Sequence, residues 1–421
     1  MSNWKEYKLG DISDYINRGV TPLYSEDGVI VINQKCVRDG QVKYEQSRYT
    51  NSEKKKITEE KYLKSFDILI NSTGQGTLGR VGQVKEITTP TTVDSHLTIV
   101  RIKNNINPVF MGYVLKSKQS LIEDLAEGTT GQTELSRHKV AGIPILLPDL
   151  PTQTSIAEIL SSLDDKIELN NKINYELETL AQTLFKQWFI DFEFPNENGE
   201  PYKSSGGEMV DSELGEIPKG WVVGKFGDLV NIINGYAFKS KDFNDFSTEG
   251  ILKIRNINGT IVDIVNTDFV TTEVVNKLNN KFKIESGEIL IAMTGAEVGK
   301  IGVVAKTYKR LWLNQRVGKI MPKNNMHISY IHTMFNVLNF TDIVRNEAMG
   351  SAQPNISSQG IENIKCLIPE TNLIDEFSSL HNDKFSLFYY SIAENQELTI
   401  LRDTLLPKLI SGELEINETN N

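Results

Sequence analysis

Apolar residues recur at alternating steps of four and three positions in two long stretches of the chain, and this spacing predicts two helices with an apolar seam. The first stretch follows Pro151, and Ser155 with Glu158 forms a capping box that predicts its start. The second has a weaker, more aromatic stripe and is predicted to stop at Pro407 and the SGEL segment after it. Each helix would contain about 35 to 38 residues and extend roughly 50 to 57 Å. The predicted seam positions are Ile156, Leu160, Leu163, Ile167, Asn170, Asn174, Leu177, Leu180, Ala181, Leu184 and Trp188, then Phe377, Leu380, Leu387, Leu398, Leu401 and Leu405.

Polar and aromatic residues interrupt this pattern in the first helix. Asn170 and Asn174 occupy seam positions, where a polar residue commonly sets register and partner choice at some cost in stability. The alternative is that the seam rotates here towards Ile173. Near the end of the helix an aromatic cluster is expected either to pack in a domain core or to contact a partner protein. The cluster consists of Phe185, Trp188, Phe189 and Phe192.

Outside the two helices, short alternating and β-branched apolar runs between Gly, Asn and Thr turns predict strands. These regions repeat at an offset of 217 to 221 residues, because WKEYKLGDISDYIN from Trp4 matches WVVGKFGDLVNIIN from Trp221. FDILINSTG, GRVGQV and GQTELS likewise match GEILIAMTG, GKIGVV and AQPNIS in the same order. A shorter helical pattern precedes the last of these stretches in each copy. The repeat predicts an α+β fold with two similar mixed α/β domains in tandem, each followed by a long helix.

The composition is that of a globular protein, with 39% apolar and 24% charged residues in a chain of 421. The chain starts without a signal-peptide core, and no run approaches the roughly 20 apolar residues of a membrane helix. We therefore expect a soluble, cytoplasmic protein. Cys36 and Cys366 are the only cysteines, which excludes a Cys-rich zinc site and predicts two free thiols.

The net charge of −10 argues at first against nucleic-acid binding, which needs a basic surface. The charge is, however, segregated along the chain. Residues 1–150 carry 20 basic against 18 acidic side chains, and residues 220–370 carry 17 against 14. Residues 151–219 carry 5 against 14, and residues 371–421 carry 3 against 9. Two weakly basic blocks therefore alternate with two acidic ones.

The segment NSTGQGTLGRVG has the glycine spacing of a dinucleotide-binding loop, with Gly74, Gly76 and Gly79. Such a loop must open a helix, whereas the alternating, β-branched RVGQVKEITT follows here. The matching copy TGAEVGKIG lacks the central glycine, and it is one residue too short for a phosphate-binding P-loop. A glycine-rich hairpin loop is the favoured interpretation, and the sequence contains no other motif that indicates an enzyme.

Three further segments identify a resemblance. PTQTSIAEILSSLDDKIELNNKINYELETLAQTLFKQWFIDF, SSGGEMVDSELGEIPKGW and LRDTLLPKLISGEL are similar to conserved regions of the specificity subunit of Type I restriction-modification systems. The resemblance covers the whole chain. It implies two target-recognition domains whose spacer helices pack as an antiparallel coiled coil with pseudo-two-fold symmetry. The implied parts are recognition domain 1 at 1–150, a central spacer at 151–195, a linker at 196–219, recognition domain 2 at 220–370 and a C-terminal spacer at 371–421.

The resemblance also implies a function and partners. Such a subunit is non-catalytic and reads a bipartite site in double-stranded DNA, one half-site per recognition domain. Two modification subunits, which bind S-adenosylmethionine and methylate adenine, dock onto the spacer helices, and ATP-driven restriction subunits join them. Any S-adenosylmethionine, ATP and magnesium would therefore belong to the partner subunits, and this chain would hold no cofactor or metal.

Polar and basic residues in the repeated loops are the candidate DNA readers, because Arg can bind guanine and Asn or Gln can bind adenine through two hydrogen bonds. For any single residue, a solvated or turn-capping side chain is an equally good interpretation. The recurrence of polar loops at matching places supports the set as a whole. The candidates are Asn33, Gln34, Lys35, Arg38, Asn71, Ser72, Thr73, Gln75, Arg80, Ser95, His96, Thr129, Thr130, Gln132, Arg137 and His138 in the first copy, and Arg255, Asn256, Thr294, Lys300, Asn314, Gln315, Arg316, Ser351, Gln353 and Asn355 in the second.

Other functions stay open at this point. An assembly scaffold that has lost DNA binding, or a specificity subunit for a methyltransferase without a restriction partner, would carry the same helices. The hypothesis of a nucleotide-dependent enzyme rests on the glycines of the NSTGQGTLGRVG loop alone. A sequence preference on random duplexes would separate the first two classes, and cofactor binding would identify the third.

Overall fold

The computed structural model describes residues 4–127, 133–348 and 354–416. They form two units, which we describe separately. Unit 1 comprises residues up to 166 together with the segment from 398, and unit 2 comprises residues 167–397. Each unit thus contains one copy of the sequence repeat and segments of both long helices.

Unit 1 is built on two sheets and one strand pair. A six-stranded sheet has the order β2-β11-β8-β9-β6-β5, a four-stranded sheet has the order β10-β4-β7-β3, and β1 pairs with β12. The elements are β1 (Lys5–Lys8), β2 (Ser13–Arg18), β3 (Tyr24–Ser25), β4 (Val29–Ile32), β5 (Val37–Arg38), β6 (Gly40–Val42), β7 (Arg48–Thr50), β8 (Ile68–Asn71), β9 (Val81–Gln83), β10 (Thr91–Val93), β11 (Leu97–Ile102), α1 (Pro108–Ser117), α2 (Gln119–Asp124), α3 (Arg137–Ala141), β12 (Pro144–Leu147) and the long helix α4 (Leu150–Phe185).

Unit 2 has two five-stranded sheets, of order β16-β25-β22-β23-β19 and β17-β20-β18-β24-β21, with the pairs β15-β26 and β13-β14. A π-helical turn, Lys186–Ile190, first closes α4. The elements that follow are β13 (Met209–Ser212), β14 (Gly215–Pro218), β15 (Val222–Lys225), α5 (Phe226–Leu229), β16 (Val230–Asn234), β17 (Phe243–Asn244), β18 (Glu249–Leu252), β19 (Ile261–Val262), β20 (Asp268–Val270), α6 (Thr272–Val275), β21 (Lys283–Ile284), β22 (Ile289–Ala292), β23 (Ile301–Val304), β24 (Arg310–Leu313), β25 (Val317–Pro322), α7 (Ile328–Val337), α8 (Phe340–Glu347), α9 (Ser358–Glu362), β26 (Lys365–Ile368) and α10 (Thr371–Ile410).

The strand pairings confirm the predicted duplication of a mixed α/β domain. The antiparallel run β2-β11-β8-β9 of unit 1 recurs as β16-β25-β22-β23 in unit 2. The parallel pair of β4 with β10 recurs as β18 with β24. Two helices, α1 and α2 or α7 and α8, follow the last strand of the run in each unit. The repeated motifs of the sequence therefore occupy equivalent places.

Each unit also places an acidic residue at the start of its central strand, but neutralises it differently. In unit 1, Arg101 holds Asp67 with two hydrogen bonds of 2.8 and 2.6 Å. Burial raises the pKa of Asp67 although Arg101 opposes this effect. In unit 2, the equivalent Glu288 accepts a 2.9 Å hydrogen bond from Lys319, which also donates to the backbone oxygen of Lys283. The two copies therefore place an acidic residue at the same point of the shared strand run but form different ion pairs there.

Helix α4 begins earlier than predicted, whereas α10 ends at the predicted SGEL segment. Helix α4 starts at Leu150, and Asp149 caps it by accepting a 2.9 Å hydrogen bond from the backbone N–H of Thr152. The capping box predicted at Ser155 was wrong, because Ser155 already lies within the helix. Helix α10 continues through Pro407 to Ile410. Pro407 has no N–H to donate to the carbonyl four residues earlier, so the helix makes one hydrogen bond fewer here.

The long helices pair in opposite directions within each unit. In unit 2, Asn170 donates to Asn395 at 2.9 Å, and Asn174 accepts from Ser391 at 2.6 Å. In unit 1, Arg402 donates to Asp164 at 2.6 Å. From one bonded pair to the next, the residue numbers rise along α4 and fall along α10. The helices are therefore antiparallel, as predicted. Asn170 and Asn174 are 3% and 8% exposed, so both are seam residues bonded across the pair.

Some predicted seam positions are wrong. Leu180 and Leu401 are 50% and 46% exposed, and Leu380 and Leu387 are also exposed. In unit 2 the aromatic residues of α10 and the larger side chains near the end of α4 fill the space between the helices instead. Buried positions of the pair include Ile156 and Leu160 in unit 1 with Leu406 and Leu409, and Phe185, Trp188 and Phe189 in unit 2 with Phe377, Phe388 and Ile392.

The segment predicted as a loop or linker, 196–219, contains a strand pair. Strands β13 and β14 form a hairpin, and Ile217 is buried. Phe194 stacks between Tyr202 and Trp221, with ring centroids at 4.5 and 5.7 Å. The apolar and aromatic residues within this Gly- and Glu-rich segment therefore fix it to the core of unit 2. The aromatic cluster at the end of α4 packs in the same core, which confirms the core interpretation for Trp188 and Phe189.

A buried histidine makes the stability of unit 2 sensitive to acid. His332 on α7 is 6% exposed and packs against Phe385 and Phe388. Burial lowers its pKa to about 4, so the unfolded chain binds a proton before the folded one does. The stabilisation is therefore complete above the unfolded pKa, about 6.5, and is lost as pH falls towards 4.

We expect unit 2 to lose about 2 kcal/mol of unfolding free energy between pH 7.5 and pH 5 through this residue. Urea unfolding at the two pH values measures the loss. The variant His332→Gln should show a correspondingly smaller loss, whereas His138→Gln, at an exposed position of unit 1, should behave like the unchanged protein. Equal pH dependence in the unchanged protein and His332→Gln would contradict the assignment.

Candidate functional site

Four loop segments of unit 1 meet at one end of its sheets. Gln34 donates to Thr73 Oγ1 at 2.8 Å, and Thr73 Oγ1 lies 2.7 Å from Nδ1 of His96. The backbone N–H of Ser72 donates to the oxygen of His96 at 2.8 Å, and that of Leu135 donates to the oxygen of Ser72 at 2.9 Å. We call residues 33–38, 72–80, 94–96 and 133–138 the loop face of unit 1.

Unit 2 repeats the two backbone hydrogen bonds of this arrangement. The backbone N–H of Met293 donates to the oxygen of Arg316 at 3.1 Å, and that of Ile356 donates to the oxygen of Met293 at 3.1 Å. Thr294 and Asn355 form a β-bridge, as Thr73 and Glu134 do in unit 1. Residues 253–258, 293–300, 314–316 and 354–358 are the loop face of unit 2. Among the described residues, the sequence-predicted readers of each unit thus lie in neighbouring loops.

The glycine-rich loops are turns between antiparallel strands. In unit 1 the N–H of Gly79 donates to the oxygen of Asn71 at 2.8 Å, and in unit 2 the N–H of Gly299 donates to the oxygen of Ala292 at 2.9 Å. Strands β9 and β23 follow them, as predicted for a hairpin. The helix that a dinucleotide-binding loop opens does not follow in either unit.

The glycines of this loop differ in how closely they are packed. Gly295 and Gly299 both have left-handed backbone, with φ of +80° and +86°. A Cβ at Gly299 would lie 2.5 Å from the backbone oxygen of Thr341, whereas a Cβ at Gly295 would meet no atom within 4 Å. Gly295→Ala should therefore cost only the backbone strain, about 1 to 2 kcal/mol. Gly299→Ala should cost roughly 1 to 3 kcal/mol more.

Urea unfolding of the two variants measures this difference. Gly299→Ala should also weaken DNA binding, because it displaces the loop face of unit 2. Equal stability of the two variants would show that the loop shifts freely and does not fix the neighbouring residues.

Three predicted readers lie in the interior and position the loops. Asn71 is fully buried and donates to the backbone oxygens of Gln34 and Thr77 at 3.1 and 3.0 Å. Ser72 is also fully buried, with its hydroxyl 2.6 Å from that of Thr98. Asn256 is 1% exposed and donates to two backbone oxygens. The expectation that these side chains face DNA is therefore corrected, because their polar atoms hold the loops.

The remaining candidates reach the surface to different degrees. Among the described residues, the exposed candidates are Lys35, Arg38, Gln75, His96, Arg137 and His138 in unit 1, and Arg255, Gln315, Arg316 and Asn355 in unit 2. The partly exposed candidates are Asn33, Gln34, Thr73, Arg80, Ser95, Thr294, Lys300 and Asn314. Five further candidates, Thr129, Thr130, Gln132, Ser351 and Gln353, lie outside the described residues.

Several basic candidates already have partners. Arg255 lies 2.5 Å from Asp268, which also pairs with Lys253, and Lys300 pairs with Glu297. Burial acts to raise the pKa of Asp268, but the hydrogen bonds and charges of Lys253 and Arg255 outweigh it and hold this pKa below its usual value. These cations are thus oriented by acidic neighbours.

Arg18 was missed by the sequence analysis. It ends β2 and donates to the backbone oxygens of Ser95 and Leu135 at 3.0 and 2.9 Å, and it pairs with Glu134 at 2.7 Å. It therefore ties two segments of the loop face together. In unit 2 the equivalent Asn234 makes a 3.4 Å hydrogen bond to Ser358. No motif marks Arg18, since only the strand pairing of β2 brings it to this end of the sheet.

The structure also bears on other classes of site. In residues 4–127, 133–348 and 354–416, no group of three or more His, Cys, Asp or Glu side chains is placed to hold a metal ion. No helix in the same ranges has the length and apolar character needed to cross a membrane. Both cysteines are buried free thiols, as predicted, and burial raises their pKa values, that of Cys366 to about 12.

Comparison with known proteins gives a consistent result. Residues 1–179 and 218–376 match the family model described as the Type I restriction modification DNA specificity domain. The Type I restriction enzyme HindI specificity subunit of Haemophilus influenzae is 26% identical over 469 residues, covering 98% of this chain and 100% of that protein. The MjaIX specificity subunit of Methanocaldococcus jannaschii is 26% identical over 342 residues, covering 80% of this chain and 76% of its own.

A solved structure shares the fold. The crystal structure of the S subunit of a Type I restriction-modification system from M. genitalium superposes with a TM-score of 0.62, covering 99% of this chain and 97% of that one. The two sequences are 18% identical, so this likeness concerns the fold alone. It includes the duplicated domain and both long helices.

Proposed function

The chain belongs to the family of Type I restriction-modification DNA specificity subunits, and from this premise we propose that it reads a bipartite DNA site and assembles the enzymes that act there. The observation that carries this proposal is the duplicated loop face. Each unit presents the same four segments, held by matching backbone hydrogen bonds, but with different exposed side chains. Two such surfaces suit two half-sites of different sequence.

The chemistry of the loop faces fits the DNA major groove. Their exposed side chains are mainly Arg, Lys, His, Gln and Asn, which donate or accept hydrogen bonds at base edges and phosphates. Buried Asn71, Ser72 and Asn256 keep the loops in place beneath them. Preformed loops pay less ordering entropy on binding, so the arrangement supports recognition of sequence.

The long helices supply the surface for protein partners. On both helices, apolar side chains that lie outside the seam are exposed. The residues around them carry an excess of acidic side chains. In unit 2 the exposed apolar side chains include Leu169, Tyr175, Leu180, Leu387 and Tyr390, which are 48 to 67% exposed. Exposed apolar positions rimmed by charges are typical of protein interfaces. We infer that two adenine-specific modification subunits dock here and that restriction subunits join the complex.

In this proposal the chain itself catalyses no reaction. The partner subunits bind S-adenosylmethionine, ATP and magnesium, and they perform methyl transfer and DNA cleavage. This chain contributes sequence recognition and the geometry of assembly. The same architecture would serve a methyltransferase that has no restriction partner, and the two cases differ only in the partners that copurify.

Coexpression with the co-encoded modification subunit tests the proposal. We expect a stable complex that methylates adenine in one bipartite sequence when incubated with DNA and S-adenosylmethionine. Formation of the complex without sequence-dependent methylation would identify an assembly scaffold. Failure to form any complex would overturn the proposed function.

A further inference from the structure

The turn that follows β24 in unit 2 occupies the middle of its loop face. The N–H of Asn314 donates to the oxygen of Leu252, at the start of segment 253–258. On the other side, the oxygen of Arg316 accepts from Met293, whose own oxygen accepts from Ile356. The turn therefore has a loop of the face on each side and lies at the centre of the surface.

Arg316 differs from the other basic side chains of this surface. It is exposed, and within the described residues its guanidinium has no hydrogen bond or ion pair, whereas Arg255 and Lys300 are paired with acidic residues. Its neighbours Gln315 and Asn355 are exposed amides. An unpaired guanidinium among neutral polar side chains has its donors available for a ligand.

The equivalent position of unit 1 carries His96, and its hydrogen bonds show what this place presents. Thr73 Oγ1 accepts from Gln34 and lies 2.7 Å from Nδ1 of His96, so this ring nitrogen is engaged within the loop face. Only Nε2 of His96 is left for a ligand. The same place in the fold therefore offers a single ring nitrogen in unit 1 and the several N–H donors of a guanidinium in unit 2.

We propose that Arg316 is a specificity-determining residue of unit 2 and that it recognises a guanine in the corresponding half-site. Guanine presents two acceptors, N7 and O6, in the major groove, and a guanidinium can donate to both at once. Adenine and thymine each present only one acceptor there, and cytosine presents a donor. This inference rests on the proposed function, because it names a base within a site that the loop face reads.

The test is a selection on random duplexes with the complex of this chain and its modification subunit. The unchanged protein should enrich a G·C pair at one position of one half-site. Arg316→Ala should abolish that preference and weaken binding to the selected duplex by roughly 5- to 150-fold. Arg316→Gln should shift the preference at that position alone towards adenine, since an amide can bond N6 and N7 of adenine.

A charge-matched control separates recognition from general electrostatics. Lys365→Gln removes one positive charge from β26, where Lys365 pairs with Glu213 away from the loop face, and should leave the selected sequence unchanged. If Arg316→Ala weakened binding equally on every sequence and lowered the salt dependence by about one charge, Arg316 would be a phosphate contact and the proposal would be overturned. The proposal would also be overturned if Arg316→Gln kept the preference for guanine at that position. Absence of any enriched sequence with the unchanged protein would instead contradict the proposed function, and this inference with it.

Discussion

Replacement of Arg101 by leucine is expected to destabilise unit 1 by about 3 to 5 kcal/mol, because it leaves a buried carboxylate without its cation. Asp67 is 1% exposed and accepts two hydrogen bonds from the guanidinium. Arg101 also donates to the backbone oxygen of Tyr62 at 2.9 Å, so a second acceptor loses its donor. Hydrogen exchange of the amides in β8 and β11, which flank the pair, measures the loss.

A double variant provides the matched control. Replacing Asp67 and Arg101 together by leucine removes both charges, and buried ion pairs replaced by apolar residues are often close to neutral. We expect the double variant to recover most of the stability that Arg101→Leu loses. If the two variants were equally unstable, packing rather than the unpaired charge would account for the effect.

Replacement of Phe377 by alanine is expected to have an effect of similar size on unit 2. Phe377 is fully buried in α10, and its ring centroid lies 5.4 Å from that of Phe189 and 5.8 Å from that of Phe185. Truncation of a buried phenylalanine leaves a cavity and typically costs about 3 to 5 kcal/mol. Because this ring joins α10 to the end of α4, we also expect loss of the complex with the modification subunit.

Leu387 offers the control on the same helix. It is 49% exposed, so Leu387→Ala should change the unfolding free energy by no more than about 0.5 kcal/mol. Urea unfolding followed by the fluorescence of Trp188 and Trp221 reports on the relevant core. A loss for Leu387→Ala as large as that for Phe377→Ala would show that the helix contacts are assigned to the wrong face.

The sequence predicted the two long helices and the duplicated domain because both leave regular signals. A seam with steps of four and three persists over many turns, and the repeated motifs keep their order. The start of the first long helix was harder to predict from the sequence. Ser155 with Glu158 has the composition of a capping box, but Asp149 caps the helix, and one chain offers two plausible caps without the tertiary contacts that decide between them.

Details of packing could not be predicted for the same reason. Leu180 is as apolar as its buried neighbours, but in unit 2 the aromatic side chains of the helix pair occupy the space that a leucine seam would fill. Among the candidate readers, Asn71 has the sequence surroundings of an exposed loop residue. The strand pairing instead places its side chain beneath the loop, where it is buried. Nothing in the sequence marks Arg18 as part of the loop face, because its contacts are with residues far away in the sequence.

The most direct test of the central claim is the sequence that the assembled complex selects. The complex of this chain with its modification subunit should be equilibrated with random duplexes at physiological salt, and the bound DNA sequenced. We predict two conserved blocks of different sequence, separated by base pairs without preference and each containing a methylatable adenine. A single continuous block, or no enrichment above the starting library, would contradict the reading of one half-site by each unit.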